Sequence, residues 1–374
     1  MYAADREGRA ALPIPEQFAD VLETDIVDYI DSIRRLDDPS ITIALQEARR
    51  RMIDENVIQH VPDSITGLGA MVAVDGGNNV LQTGAATQCF VLSVRYSLRS
   101  GFDVNFSMER LVFDSAEPAA LMYGIRNALE IKDIYETNEA ESFCIVDNSW
   151  VSLLQNINRT LVHYGIATPH DQRILESFLR PMLAHSGHFI TALKHPRNIA
   201  LSKGGVSSSY CDRYGGVVHL PDKVFLLGIM EAGEYTEPRA LVDSGQGQLN
   251  VHTSSLFACH QTVESFYNAD FNTTSDGFIC STYYKPHPWS PVKRIEFHSD
   301  LLLDGQSLFF QMLASIRDSM TVPTIQEPLE QFLVDEIVRR HTGRIPELYQ
   351  TAGVANIRDF ESAFAVQLVR RLRT

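Results

Sequence analysis

The chain has 374 residues, a hydrophobic fraction of 44% and a formal net charge of −15. This is a globular composition able to bury a sizeable core in one large or two modest domains, which excludes a chain that needs staples to fold. The acidic balance excludes indiscriminate nucleic-acid binding by long-range attraction, so any DNA or RNA contact needs a local basic groove, a metal or a basic partner.

From about Pro15 to Val61 the pattern is helical, with Ile26, Ile30 and Ile33 on one amphipathic face. Residues 1–69 are read as an N-terminal helical arm, and Arg49 to Arg51 as a solvated helix face. Next comes Met71-Val-Ala-Val-Asp75-Gly-Gly, an apolar run that reaches a carboxylate and then two glycines. This places Asp75 at the lip of a sheet. Two readings fit it: an Asp-Gly hairpin turn, or a rigidly held oxygen ligand for a hard divalent cation.

Ala86 to Leu98 and Val104 to Phe113 predict two further strands around a Ser100-Gly101 turn, completing a three-stranded meander. Glu117 to Glu139 predicts a helix with Leu121, Ile125, Ala128 and Tyr135 on its apolar face, and Glu130 falls opposite that stripe. A short strand, Phe143-Cys-Ile-Val-Asp147, also ends on an aspartate. Three strands, a helix and a strand in this order bring the first and fourth strands side by side, with Asp75 and Asp147 at adjacent positions. Two such carboxylates repel, and a divalent cation relieves the repulsion.

Trp150 to Ile166 and His170 to Ala184 read as helices. Asn198-Ile-Ala-Leu-Ser-Lys203 is a strand delivering a lysine to a polar, glycine-containing turn that lacks P-loop spacing. Val224 to Met230, Ser255 to Val263, Gly277 to Tyr284 and Val292 to Phe297 predict strands. Leu308 to Ser319, Pro328 to Arg340 and Asp359 to Arg373 predict helices. Tyr283, Tyr284 and Arg294 are candidates to line a nucleic-acid channel, against the alternative of packing within strands. His185, His188 and the pair Cys259 and His260 complete no metal set. The five cysteines are scattered with no C-x-x-C pair, which argues against a disulfide framework or a thiolate zinc site. With no apolar leader and no membrane-spanning stretch, a soluble cytoplasmic protein without a membrane partner is expected.

Val74-Asp75-Gly76-Gly77, Arg126-Asn-Ala-Leu-Glu130, Ile145-Val-Asp147-Asn-Ser149, Ile199-Ala-Leu-Ser-Lys203 and Val292-Lys-Arg294-Ile-Glu296 follow one another in an order that resembles the NurA family of DNA-end-processing nucleases. The family shows Asp-Gly-Ser where this chain has Asp75-Gly-Gly and Asp147-Asn-Ser. The resemblance implies an α/β fold, an RNase H-like mixed sheet core flanked by helices, spanning residues 70–345. Residues 346–374 are then a C-terminal helix packed on the same domain. It implies catalytic Asp75, Glu130, Asp147 and Lys203, with Asp75, Glu130, Asp147 and Asp335 holding two Mn²⁺ or Mg²⁺ ions. Asp335 stands where the family has a histidine, and His341 is the alternative. Tyr283 and Arg294 become DNA-binding candidates. The implied activity is 5′-to-3′ end resection and single-strand cleavage in DNA repair or defence, by a homodimer working with a HerA-type hexameric ATPase. Two rival readings are an actin-like ATP-dependent phosphotransferase and a non-catalytic ATPase adaptor.

Overall fold

The computed structural model describes residues 39–69, 71–82, 87–98, 103–114, 118–137, 142–183, 187–202, 207–240 and 279–356. Residues 1–38 of the expected arm, Ser100-Gly101, His185, Lys203, the segment from Ser255 to Val263 with Cys259 and His260, and the closing helix from Asp359 to Arg373 lie outside them.

The described elements are α1 (Pro39–Asp54), β1 (Ile58–His60), β2 (Val72–Gln82), β3 (Thr87–Ser97), β4 (Asp103–Phe113), α2 (Ala119–Thr137), β5 (Cys144–Val146), α3 (Trp150–Tyr164), α4 (Pro169–Leu183), α5 (His188–Lys194) and β6 (Asn198–Ser202). They continue with α6 (Ser209–Tyr214), α7 (Asp222–Ile229), β7 (Glu234–Thr236), β8 (Arg239–Ala240), β9 (Ile279–Lys285), β10 (Lys293–His298), α8 (Ser307–Ser319) and α9 (Leu329–Asn356). The strands form one mixed sheet in the order β1-β7-β9-β10-β6-β5-β2-β3-β4, with β8 on β9. β2, β3 and β4 are the expected antiparallel meander. β5 runs parallel to both β2 and β6, because helices carry the chain back across the sheet before each strand.

Strand alternation splits the core into two layers. Val72, Val74, Val146 and Ala200 face α2 to α5, where Ile125, Trp150, Leu179 and Phe189 fill the space. Ala73, Ile145, Leu201 and Ile295 face α8 and α9, packing with Phe309, Leu313 and Val334. Burial on both faces explains why β5 and β6 read as continuous apolar runs rather than alternating ones.

Several expectations change. The stretch taken as a helical arm contains β1, which pairs with β7 and so belongs to the sheet. The strand expected from Val224 to Met230 is part of helix α7: Phe225, Leu226 and Ile229 are buried while Val224 and Leu227 are exposed, a helical spacing that a short apolar run hides. α9 runs well past Arg340, through Pro346 to Asn356, and so crosses the expected boundary at residue 345.

The glycines after Asp75 form no turn. β2 continues through them and stays paired with β3 from Val72 opposite Ser97 to Gln82 opposite Thr87. Only the parallel pairing with β5 stops, at Val74 opposite Val146. The glycines serve close approach instead. A Cβ on Gly76 would overlap Glu130 Oε1, and one on Gly77 would lie 2.6 Å from Val338 Cγ1 and Thr342 Cγ2 of α9.

Candidate metal centre

Asp75 follows the last β2 residue paired with β5, and Asp147 follows the end of β5, so both carboxylates sit where the two parallel strands part. The Asp147 N–H still reaches Val74 O at 3.4 Å, extending the ladder one residue further. By alternation Asp75 shares the α9 face of β2 with Gly77, and α9 brings Asp335 to it. One ligand oxygen from each of Asp75, Asp147 and Asp335 lies within 4.8 Å of the other two, and all three residues are half-buried. His341, one and a half turns beyond Asp335, is not in this group.

Two of the three carboxylates, those of Asp75 and Asp147, are oriented by specific donors. Gly76 N–H donates to Asp75 Oδ1 at 2.8 Å. Gln331 Nε2 donates to Asp147 Oδ1 at 2.5 Å, from a side chain that is only 1% exposed. Gln331 and Asp335 are four residues apart on α9 and so present one helix face to the strand ends. The first turn of α9 is itself fixed, since Glu330 accepts from Met71 N–H at 3.2 Å and from Ser319 Oγ.

Glu130 reaches the site from the opposite face. It is 6% exposed on α2, beneath Gly76, with Arg126 Nε 3.3 Å from its Oε1. It stands opposite the apolar stripe, but β2 and β3 cover that side of α2 as well, so it is buried. It lies outside the three-carboxylate group, yet close enough to raise the proton affinity of Asp75.

The electrostatics follow from crowding. Burial pushes the Asp75 carboxyl up to about 8, with Glu130, Asp147 and Asp335 adding to the shift and the Gly76 N–H opposing it. Burial also holds Glu130 above the usual carboxylate range; Arg126 opposes this and Asp147 reinforces it.

Tyr283 and Arg294, expected to line a nucleic-acid channel, are buried. Tyr283 packs edge-on to Tyr210 at 5.7 Å within the cluster that joins α1, α6 and α7 to the sheet. Arg294 is 4% exposed and pairs with Glu296 at 3.1 Å, and Glu296 in turn accepts from the Trp150 N–H at the start of α3. Neither offers a surface to DNA. Tyr284 is likewise fully buried. The sequence reading missed Gln331, whose spacing from Asp335 was the available signal.

A mixed sheet with helices on both faces and acidic residues where two central parallel strands part defines the RNase H-like class of folds. Within that class the chain has the fold of NurA. It matches the crystal structure of the NurA nuclease from Sulfolobus solfataricus with a TM-score of 0.58 and 13% identity, over 92% of this chain and 99% of that one. A second NurA crystal structure matches with a TM-score of 0.50 and 9% identity, over 94% of this chain and 100% of that one. No protein-family profile matches the sequence. No curated protein matches it either.

Proposed function

We propose that this chain is a divalent-metal-dependent deoxyribonuclease that hydrolyses phosphodiester bonds with Mn²⁺ or Mg²⁺. The observation that carries this reading is the convergence of Asp75, Asp147 and Asp335 within 4.8 Å on a fold shared with the NurA nuclease.

The residues present fit a hard cation. The donor set is entirely carboxylate oxygen, and the crowding that pushes Asp75 up to about 8 is what a divalent charge offsets. Asp75, Asp147 and Asp335 would hold one ion, and Glu130 would help to hold a second. When bound, such ions activate water and neutralise charge on the scissile phosphodiester.

The chain's own groups prepare the site. Gln331 donates to Asp147 Oδ1 and the Gly76 N–H to Asp75 Oδ1, so neighbouring donors orient both carboxylates for a cation. Arg126 offsets the charge of Glu130 within the buried layer. Lys203, which follows β6, is assigned to phosphate contact on the family resemblance.

The same resemblance supports end resection of DNA, a homodimer, and a HerA-type ATPase partner in DNA repair or defence in the cytoplasm. A translocating partner would supply the grip on DNA that a chain of net charge −15 lacks. Among the described residues no helix is long and apolar enough to cross a membrane, and Cys89, Cys144 and Cys211 are buried free thiols, consistent with a reducing compartment.

The test is hydrolysis of end-labelled single- and double-stranded DNA with Mn²⁺ or Mg²⁺, alone and with a hexameric ATPase, for the unsubstituted protein and for Asp75→Ala and Asp147→Ala. Metal-dependent cleavage lost in both variants is expected. Equal cleavage by all three proteins refutes the metal-site assignment.

A further inference from the structure

The strand ends that carry the acidic group continue, on the β6 side, into a cluster of opposite sign. Asp147 follows the pair Val146 and Ala200, so the last β6 residue, Ser202, lies on the next strand at the same end of the sheet. Ser202 is paired in turn with Arg294 of β10, and Lys293 precedes Arg294 at the start of that strand. From the other side α7 supplies Lys223, whose Nζ donates to the Ser202 carbonyl oxygen. Two strand spacings, about 10 Å, separate the Asp147 position from the β10 cations.

The members of this cluster differ in accessibility. Arg294 and Glu296 form the buried pair described above, so Arg294 acts through its field rather than by contact. Lys223 and Lys293 are half-buried and keep part of their surface in solvent. The Lys223 ammonium is lowered to about 8, first by partial burial and then by Lys293 and Arg294, each of which outweighs the opposing Glu296. By strand alternation Ser202 and Arg294 face the α2 to α5 layer while the three aspartates face α9, so this positive charge neighbours the carboxylates across the end of the sheet, on a chain whose net charge is −15.

We infer that Lys223 and Lys293 form a phosphate subsite for the backbone of single-stranded DNA, next to the phosphodiester held at the Asp75, Asp147 and Asp335 group. The inference rests on the nuclease reading for the identity of its ligand. An anion here relieves repulsion among the cations, as a divalent ion relieves it among the carboxylates. A strand crossing this end of the sheet then has its scissile phosphate on the β2 and β5 side and a flanking phosphate on the β6 and β10 side. The subsite supplies the local grip that the overall charge denies to the protein surface at large.

The experiment measures fluorescence anisotropy of a labelled single-stranded oligonucleotide against the full chain in Ca²⁺ over a salt series. It compares the unsubstituted protein with Lys223→Gln, Lys293→Gln, the double variant, Lys223→Arg, and Lys132→Gln as an exposed control on α2. Each lysine-to-glutamine change should make the log–log salt slope shallower by about 0.7, and the double variant should bind about 10-fold more weakly at low salt. Lys223→Arg and Lys132→Gln should bind as the unsubstituted protein does. Mn²⁺ affinity by calorimetry and the melting temperature should stay unchanged in all variants.

An unchanged slope in the double variant, or no DNA binding by the unsubstituted protein, overturns the inference. If the slope depends on the lysines but no metal supports hydrolysis, the subsite stands and the nuclease reading fails. If hydrolysis occurs and the slope ignores the lysines, the nuclease reading stands and the subsite fails.

Discussion

Asp75→Asn separates the electrostatic cost of the acidic group from its use. The substitution keeps the size of the side chain and its acceptor for the Gly76 N–H while removing the charge. The folded-state value of about 8 lies above the ordinary 3.8, so the proton is favoured in the folded chain. Below 3.8 the carboxyl is neutral in both folded and unfolded chains and Asp75 has no effect on stability. As pH rises the unfolded chain releases the proton first, the folded chain holds it to about 8, and stability falls across that window. Taken at face value the shift is worth about 6 kcal/mol, at 1.36 kcal/mol for each tenfold change. Water reaches the half-buried carboxylate and screens it, so about 2 kcal/mol is expected at pH 8. At about 2 °C per kcal/mol for a chain of this size, the metal-free variant should melt about 4 °C above the unsubstituted protein at pH 8 and level with it near pH 4. Mn²⁺ should raise the melting temperature of the unsubstituted protein and leave the variant nearly unmoved. Scanning calorimetry in EDTA and in Mn²⁺ at both pH values reads all four quantities. A metal-free variant that melts below the unsubstituted protein at pH 8 would falsify the crowding account.

The same linkage makes Mn²⁺ affinity rise with pH until Asp75 has lost its proton near 8; calorimetry in buffers of differing ionisation enthalpy should detect a released proton at pH 7. Gln331→Leu, an apolar replacement at a buried position, should weaken Mn²⁺ binding about 10- to 100-fold by releasing Asp147 Oδ1. Unchanged affinity in that variant would mean that α9 packs against Asp147 without orienting it. Gly76→Ala should destabilise the chain by about 1–3 kcal/mol through overlap with Glu130. Adding Glu130→Ala to it should recover part of that loss in a urea melt, and strict additivity of the two changes would rule out the contact as the cause.

Much of the fold was legible because its signals are local. β3, β4, α2 and β5 fall within a few residues of their expected places, since each has a clear period and a punctuating turn or polar stretch. The failures share one cause, which is that neighbours distant in sequence decided the outcome. The Asp75-Gly76-Gly77 stretch carries turn residues, yet β3 pairs with it throughout and holds it extended. Residues 222–229 are apolar enough for a strand, but α1 and α6 pack on one side of them and favour a helix. Tyr283 and Arg294 have the chemistry of DNA contacts, and burial removes them from that role.

By itself the sequence determined that two apolar strands lead into aspartates around a helix, and that an acidic chain must hold any nucleic acid locally. Those properties depend on residue order and charge alone. Tertiary structure decided which groups meet. α9 brings Asp335 and Gln331 to the strand ends, Gly76 makes room for Glu130 on the opposite face, and α7 sets Lys223 beside β10. No local pattern encodes such contacts, because the partners are far apart in the chain and only sheet order and helix packing make them neighbours.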